Sequence, residues 1–217
     1  MKYKAVLFDL DGTLLDTLED LADSMNAVLA ARGHPTHPVE KYRYFVGDGV
    51  EELARRVLPA AFSSDESEVK ACTQSMRGEY GARWNRKTHL YPGIKELLDG
   101  LTEKGVILTI LSNKPDAFVK EIAVHFFRPW RFASAQGARP DVPRKPDPAA
   151  ARAISRAIGV ETGDFLYLGD TNTDMRTAVA AGMYPVGALW GFRPEAELRE
   201  AGAISLAAYP TDVLSLV

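Results

Sequence analysis

The chain has a single cysteine, Cys72, in 217 residues. One cysteine closes no internal disulfide and offers no thiolate spacing for a metal. It reads as a small half-buried hydrophobe. No apolar run approaches the roughly 18 residues that a membrane-spanning helix needs. The opening MKYKAVLFDLDG breaks its short apolar run with aspartates, so it does not read as a signal peptide, and a cytoplasmic protein is the expectation. Neither sign of charge dominates. A net charge of −3 from 26 basic and 29 acidic residues removes the electrostatic case for nucleic acid or an anionic membrane as partner. Repeats and low-complexity tracts are missing too. His34, His37, His89 and His125 are scattered without ligand spacing. What remains is an ordinary globular composition, 46% hydrophobic and 25% charged, enough for a sizeable core in one large domain or a core plus a smaller unit.

Short apolar runs recur: KAVLFDLD (4–11), VILTILSN (106–113), DFLYLGD (164–170) and YPVGALW (184–190). Each has strand length and lacks the helical period, and three end in Asp or Asn. FRPWRFASA (127–135) holds a further candidate strand. Between them lie helical patterns at 93–105, 116–127, 148–159 and 173–182, the last beginning on a capping-type Thr173 and ending on Gly182. Strand–helix alternation predicts an α/β fold, a Rossmann-like parallel sheet with helices on both faces. In such sheets ligands sit at the carboxyl ends of the strands. Residues 16–88 read differently, as an all-helical cap domain inserted into a core of residues 1–15 and 89–217. TLEDLADSMNAVLAARG is its first amphipathic helix, and no convincing strand is visible within it.

Four segments at strand ends can carry chemistry: DLDGT (Asp9, Asp11, Gly12, Thr13), SNK (Ser112, Asn113, Lys114), RKPDP (Lys145) and GDTNTD (Gly169, Asp170, Asp174). Up to four carboxylates on one sheet edge are unfavourable unless a cation joins them. A hard divalent ion with oxygen ligands is the expected partner. Mg²⁺ fits because it takes few protein carboxylates and keeps room for water and phosphate. Ser112, Asn113 and Lys145 add the hydroxyl, amide and positive charge that bind phosphate. A carboxylate nucleophile, Mg²⁺, a lysine and such donors suit phosphoryl transfer. Alone, each aspartate is an ordinary turn or cap residue and Lys145 a solvated lysine; the combination is what carries weight.

The order DxDGT, Ser-Asn after the second strand, Lys-Pro-Asp-Pro and GDxxxD resembles the haloacid dehalogenase superfamily of phosphatases over essentially the whole chain. FDLDGTLLDTLEDLADSMNAVLAARG, YPGIKELLDGL, SNKP, GDTNTDMRTAVAAGM and WGFRPEAELREAGA are similar to its phosphoglycolate phosphatase branch. The resemblance implies Asp9 as the nucleophile that takes the phosphoryl group. Asp11 is implied as acid for the leaving alcohol, then as base for water. Mg²⁺ is implied on the Asp9 carboxylate, the Asp11 carbonyl and the Asp170 carboxylate, with Asp174 behind it. Ser112 and Lys145 would hold the phosphoryl oxygens, and Thr13 would orient Asp11. The spacing is compatible: residues i and i+2 share a face of an extended segment. Gly12 signals a turn, which leaves the angle between the two carboxylates open.

The resemblance makes the insertion a lid that excludes water and reads the leaving group. Its VGDGVEEL segment places Gly47 and Gly49 before a helix start, where backbone N–H groups can bind an anion. With Arg43, Arg55 or Arg56, this loop is a candidate contact for the carboxylate of a small phosphorylated acid, and an ordinary helix start is an equal reading. The expected reaction is Mg²⁺-dependent hydrolysis of a small phosphomonoester, 2-phosphoglycolate first. A nucleotidase, a pyrophosphatase, a sugar-phosphate phosphatase and a phosphomutase fit the same core residues. A dehalogenase does not, because it would lack Asp11. A noncatalytic binding protein on the same scaffold is the alternative from another class; loss of a core residue would support it, and none is lost. An EF-hand calcium loop lacks its terminal glutamate here.

Overall fold

The computed structural model describes residues 2–217. Its first strand, β1 (Ala5–Phe8), is buried along its whole length, as four consecutive apolar residues require. There follow β2 (Leu15–Asp16), α1 (Leu18–Ala31), α2 (Tyr42–Phe45), α3 (Val50–Val57), α4 (Ala60–Ser63), α5 (Glu66–Gly81) and β3 (His89–Leu90). The remainder alternates: α6 (Ile94–Glu103), β4 (Ile107–Pro115), α7 (Asp116–Phe126), β5 (Phe132–Ala138), α8 (Ala149–Ile158), β6 (Phe165–Gly169), α9 (Asn172–Ala181), β7 (Tyr184–Ala188), α10 (Glu195–Glu200) and β8 (Ser205–Ala207). Two compact units result. One joins the chain up to Leu15 with Leu90–Val217, and the other is Asp16–His89.

The first unit is a six-stranded sheet in the order β5-β4-β1-β6-β7-β8, every pair parallel. Helices cover both of its faces. On one face, Ala5, Leu7, Phe165 and Tyr167 pack with Ala150, Ala151 and Ile154 of α8 and Ala178 and Ala181 of α9. Alternation along β1 sends Val6 and Phe8 to the other face, where Phe8 meets the Phe132 ring edge-on at 6.3 Å between centroids. The chain runs outward from β1 to β4 and β5, then returns to β6 on the opposite side. That makes the carboxyl end of β1 the switch point, where open parallel sheets form their crevice.

Two elements differ from the sequence expectation. The N-cap of α9 is Thr171, which accepts from Asp174 N, whereas Thr173 lies inside the helix. The pattern TDM looked like a start because any threonine before an apolar stretch does; the capping box with Asp174 needs the residue two places earlier. The edge strand β8 was not read in ISLA, since three residues are too few to show a period.

In the helical unit, α1 buries Leu18, Leu21, Met25, Val28 and Leu29, and α5 buries Val69, Cys72, Met76 and Tyr80. Each such aliphatic side chain contributes about 2 kcal/mol. Cys72 is fully buried with Sγ 3.7 Å from Met25 Sδ, so it is core rather than half-exposed. Asp65 caps α5 by accepting from Ser67 N and Glu68 N. At the other end of the unit, the buried Asp20 carboxylate accepts from Lys87 N at 3.0 Å and from Thr88 N and Thr88 Oγ1, both at 2.8 Å. One aspartate thus ties the first turn of α1 to the segment that leaves the unit.

Candidate active site

Asp9 directly follows β1, and its N–H donates to Leu168 O at 2.9 Å, extending the ladder to β6 by one residue. The chain then folds back: Leu14 N and Leu15 N both donate to Leu10 O at 3.0 Å. Gly12 takes φ +85° in that turn, a region that an L side chain rarely adopts. The turn answers the question left open by the spacing, because the two carboxylates meet different cations. Lys145 Nζ lies 2.8 Å from Asp9 Oδ1, and Lys114 Nζ lies 2.5 Å from Asp11 Oδ1.

Asp170 follows β6 and is completely buried. Thr13 Oγ1 donates to its Oδ1 at 2.7 Å and Phe192 N to its Oδ2 at 2.8 Å. Thr13 therefore orients Asp170 and not Asp11, contrary to the expectation, and its fully buried hydroxyl is not presented to a phosphate. Trp190 Nε1 donates to Thr13 O at 2.9 Å, which ties the loop after β7 to the DLDGT turn. The approach is too close for side chains. A Cβ at Gly191 would sit 2.2 Å from Asp170 Cβ and 2.5 Å from Gly12 O.

Asp174 is the third residue of α9 and is fully buried. Its Oδ2 accepts from Thr171 Oγ1 at 2.6 Å and from Thr171 N at 3.1 Å. Its Oδ1 accepts from Lys145 Nζ at 2.6 Å and from Tyr167 OH at 3.3 Å. One ammonium thus bridges Asp9 and Asp174. Asn113 positions it from behind: Asn113 Nδ2 donates to Lys145 O at 3.1 Å, and Asn113 Oδ1 accepts from Lys145 N at 2.9 Å. Asn113, expected among the phosphate-binding groups, spends its amide on the backbone of Lys145. Ser112 is buried, and its Oγ accepts from Lys114 N at 3.2 Å, a bond that leaves the hydroxyl proton to be donated elsewhere.

Carboxylate oxygens of Asp9, Asp170 and Asp174 lie within 4.8 Å of one another. Three carboxylates around one ammonium leave two negative charges in excess. The titration of the cluster reflects this. Burial, then Asp174, push Asp9 well above the ordinary carboxylate range, with Lys145 pulling the other way. Burial, then Asp174, raise Asp170 to about 7. For Lys145, burial disfavours the charge, but Asp174 and Asp9 outweigh it and hold the ammonium above its usual value. Asp9 Oδ1 is also buried, and its partner among the described residues is the Lys145 ammonium at 2.8 Å. A buried all-oxygen donor set with two surplus negative charges fits a hard divalent cation.

Gly47 and Gly49 lie in the helical unit, in a separate unit from this cluster. They take φ +127° and +96°, which accounts for glycine there by turn geometry. Arg55 is engaged with Glu66 at 2.9 Å and with Glu52 at 3.5 Å, and Arg56 with Asp48 and Phe45 O. These two arginines brace the helical unit rather than standing free to receive a carboxylate. The sequence reading named Lys114 within SNK without giving it a role, and it did not single out Thr171, Tyr167 or the 190–192 loop. Lys114 had a visible signal, since it is two residues from Ser112 and so on the same strand face. Thr171 had one too, standing three residues before Asp174 in capping-box spacing, whereas Tyr167 and the 190–192 loop had none.

The haloacid dehalogenase-like hydrolase family model matches residues 6–188. The phosphoglycolate phosphatase 1 of Pseudomonas aeruginosa is 34% identical over 202 residues, covering 89% of this chain and 73% of that protein. The phosphoglycolate phosphatase of Haemophilus influenzae is 33% identical over 204 residues, 92% and 91% of the two chains. A crystal structure from Lactobacillus delbrueckii subsp. bulgaricus, provisionally named a phosphoglycolate phosphatase, superposes with a TM-score of 0.93 at 30% identity, covering 100% of this chain and 98% of that one.

Proposed function

The chain belongs to the haloacid dehalogenase-like hydrolases and is a phosphatase, and from that premise we propose how it works and on what. Asp9 is the nucleophile of a phosphomonoesterase, and 2-phosphoglycolate is the substrate. The observation that supports this most is the lysine-bridged pair, Asp9–Lys145–Asp174, beside Asp170 at the switch point of the sheet. The names of the bacterial relatives support the substrate. We read the helical unit as the family's cap domain.

A carboxylate oxygen of Asp9 attacks phosphorus as the ester P–O bond breaks, and the electron pair leaves with the alkoxide. Asp11 supplies that oxygen with a proton. Water then attacks the phosphorus of the aspartyl-phosphate and gives its proton to Asp11, which restores Asp9 and releases inorganic phosphate. Lys145 favours the ionised form of Asp9 against burial and balances charge on the phosphoryl oxygens, to which Ser112 donates its hydroxyl proton. Asn113 and Asp174 fix Lys145 from two sides. The Asp9 carboxylate, the Asp11 carbonyl and Asp170 would hold Mg²⁺, which would supply the charge that neutralises these carboxylates beside a phosphate. Thr13 and Phe192 N keep Asp170 aimed. Asp9→Asn is expected to abolish phosphate release from 2-phosphoglycolate. Turnover surviving in that variant, or in excess chelator, contradicts the mechanism.

A further inference from the structure

The chemistry above leaves a second buried ammonium without a task. Lys114 is 8% exposed and carries its Nζ 2.5 Å from Asp11 Oδ1. Burying a lysine is costly, and the fold takes pains to hold this one. Its N–H donates to Ser112 Oγ. Gly137 of β5 backs its carbonyl so closely that a Cβ there would lie 2.5 Å from Lys114 O. Gly137 N in turn donates to Asp116 Oδ1 at 2.9 Å, fixing the end of β4. The phosphoryl oxygens already have Lys145 and Ser112.

The place of Lys114 relative to the leaving group follows from Asp11. A group that hands its proton to the leaving oxygen stands about 3 Å from it. A substituent on the carbon bearing that oxygen is two bonds further, roughly 2.5 Å. An ammonium 2.5 Å from the same aspartate therefore comes within ion-pairing reach of an anion on that carbon. We propose that Lys114 selects phosphate monoesters whose ester carbon carries a carboxylate, exchanging the Asp11 side chain for the substrate carboxylate. The proposal rests on Asp9 and Asp11 having the roles given above. A lysine ammonium suits such an exchange, being a compact charge with rotatable donors and no fork geometry to satisfy. Without substrate, Asp11 keeps the buried cation paired. A neutral alcohol offers nothing to trade for Asp11. An arriving carboxylate takes the ammonium and releases Asp11 Oδ1 to face the leaving oxygen. Selection then originates in the core unit itself.

The test compares kcat/KM for 2-phosphoglycolate and for ethyl phosphate, which replaces the carboxylate with a methyl, in the wild type, Lys114→Met, Lys114→Gln and Lys114→Arg. Both neutral variants are expected to lose about 30-fold to 1,000-fold on 2-phosphoglycolate, the range for truncating one partner of a buried charge pair. Their activity on ethyl phosphate is expected at or above that of the wild type, because Asp11 no longer has a cation to hold it, and Lys114→Arg keeps part of the preference. Equal losses on both substrates would show that Lys114 only props Asp11 and would overturn the proposal, as would unchanged 2-phosphoglycolate turnover. Melting curves for the three variants separate misfolding from loss of selection. Asp9→Asn distinguishes the levels: if it still hydrolyses both esters, the underlying mechanism has failed, whereas an inactive Asp9→Asn beside an unselective Lys114→Met result rejects this inference alone.

Discussion

Replacing Asp20 with alanine is expected to destabilise the helical unit strongly, although Asp20 belongs to no proposed catalytic group. The carboxylate is buried and receives three donors, Lys87 N, Thr88 N and Thr88 Oγ1, at 2.8 to 3.0 Å. Alanine removes the acceptor for all of them. Each backbone N–H left unpaired in a buried place costs about 1 to 3 kcal/mol, while the Thr88 hydroxyl can rotate toward another partner. Thr88 N is buried, whereas Lys87 is exposed and its N–H can turn to water, so the expected loss is about 2 to 4 kcal/mol, a large share of the 5 to 15 kcal/mol typical of a domain. Asp20→Asn keeps one acceptor oxygen but turns an NH₂ toward a donor, and about half that loss is expected. Urea unfolding followed by circular dichroism measures both, the midpoint shifting at unchanged slope. Amide exchange at Thr88 reports the same bond locally: its N–H should lose protection in Asp20→Ala before α5 does. A loss below about 1 kcal/mol in Asp20→Ala would refute the claim that this carboxylate ties the two ends of the insertion together.

Thr13→Val removes the hydroxyl that orients Asp170 while keeping the shape, and divalent-metal affinity measured by titration calorimetry is expected to fall about 10-fold to 100-fold, with thermal stability little changed. Gly191→Ala places a Cβ 2.2 Å from Asp170 Cβ, so the 190–192 loop must shift; phosphatase activity is expected to drop more than about 100-fold, and near-wild-type kinetics would contradict the close packing. In the metal-free protein, Asp170 is raised to about 7, and Asp9 is raised as well, above the roughly 3.9 of an unfolded aspartate. A raised carboxyl favours the protonated folded state, so its contribution is full below pH about 4 and is lost as pH climbs through about 7. Metal-free stability should thus decline over that window. Divalent cation binding should release protons, seen as a buffer-dependent calorimetric enthalpy, and affinity should rise as pH climbs through about 7.

The strands and helices of the core were readable because their signals are local. AVLF, FLYLG and YPVGA are apolar runs of strand length, and α6 shows its period within ten residues. Asp9 and Asp170 were legible as strand-end acids for the same reason, and Asp174 as an acid in the first turn of the helix that follows. The small elements were not: β8 has three residues, and the true cap of α9 differs from the apparent one by two positions. Gly47 and Gly49 were visible as glycines, but a sequence cannot separate a ligand-binding loop from a turn that needs positive φ.

By itself, the order of residues determined that carboxylates, a serine and a lysine stand at the ends of parallel-type strands, and hence the kind of reaction to expect. Tertiary structure alone decided who holds whom. Thr13 meets Asp170 across 157 positions, Lys114 meets Asp11 across 103, and Trp190 reaches Thr13 across 177. No local pattern encodes such pairs. They exist because the sheet order β5-β4-β1-β6-β7-β8 sets β1 between β4 and β6, and because glycines at 12 and 191 let their loops close to within contact of one carboxylate. Period and propensity act over a few residues, whereas the partners of a buried charge are chosen by what the finished sheet brings within about 3 Å.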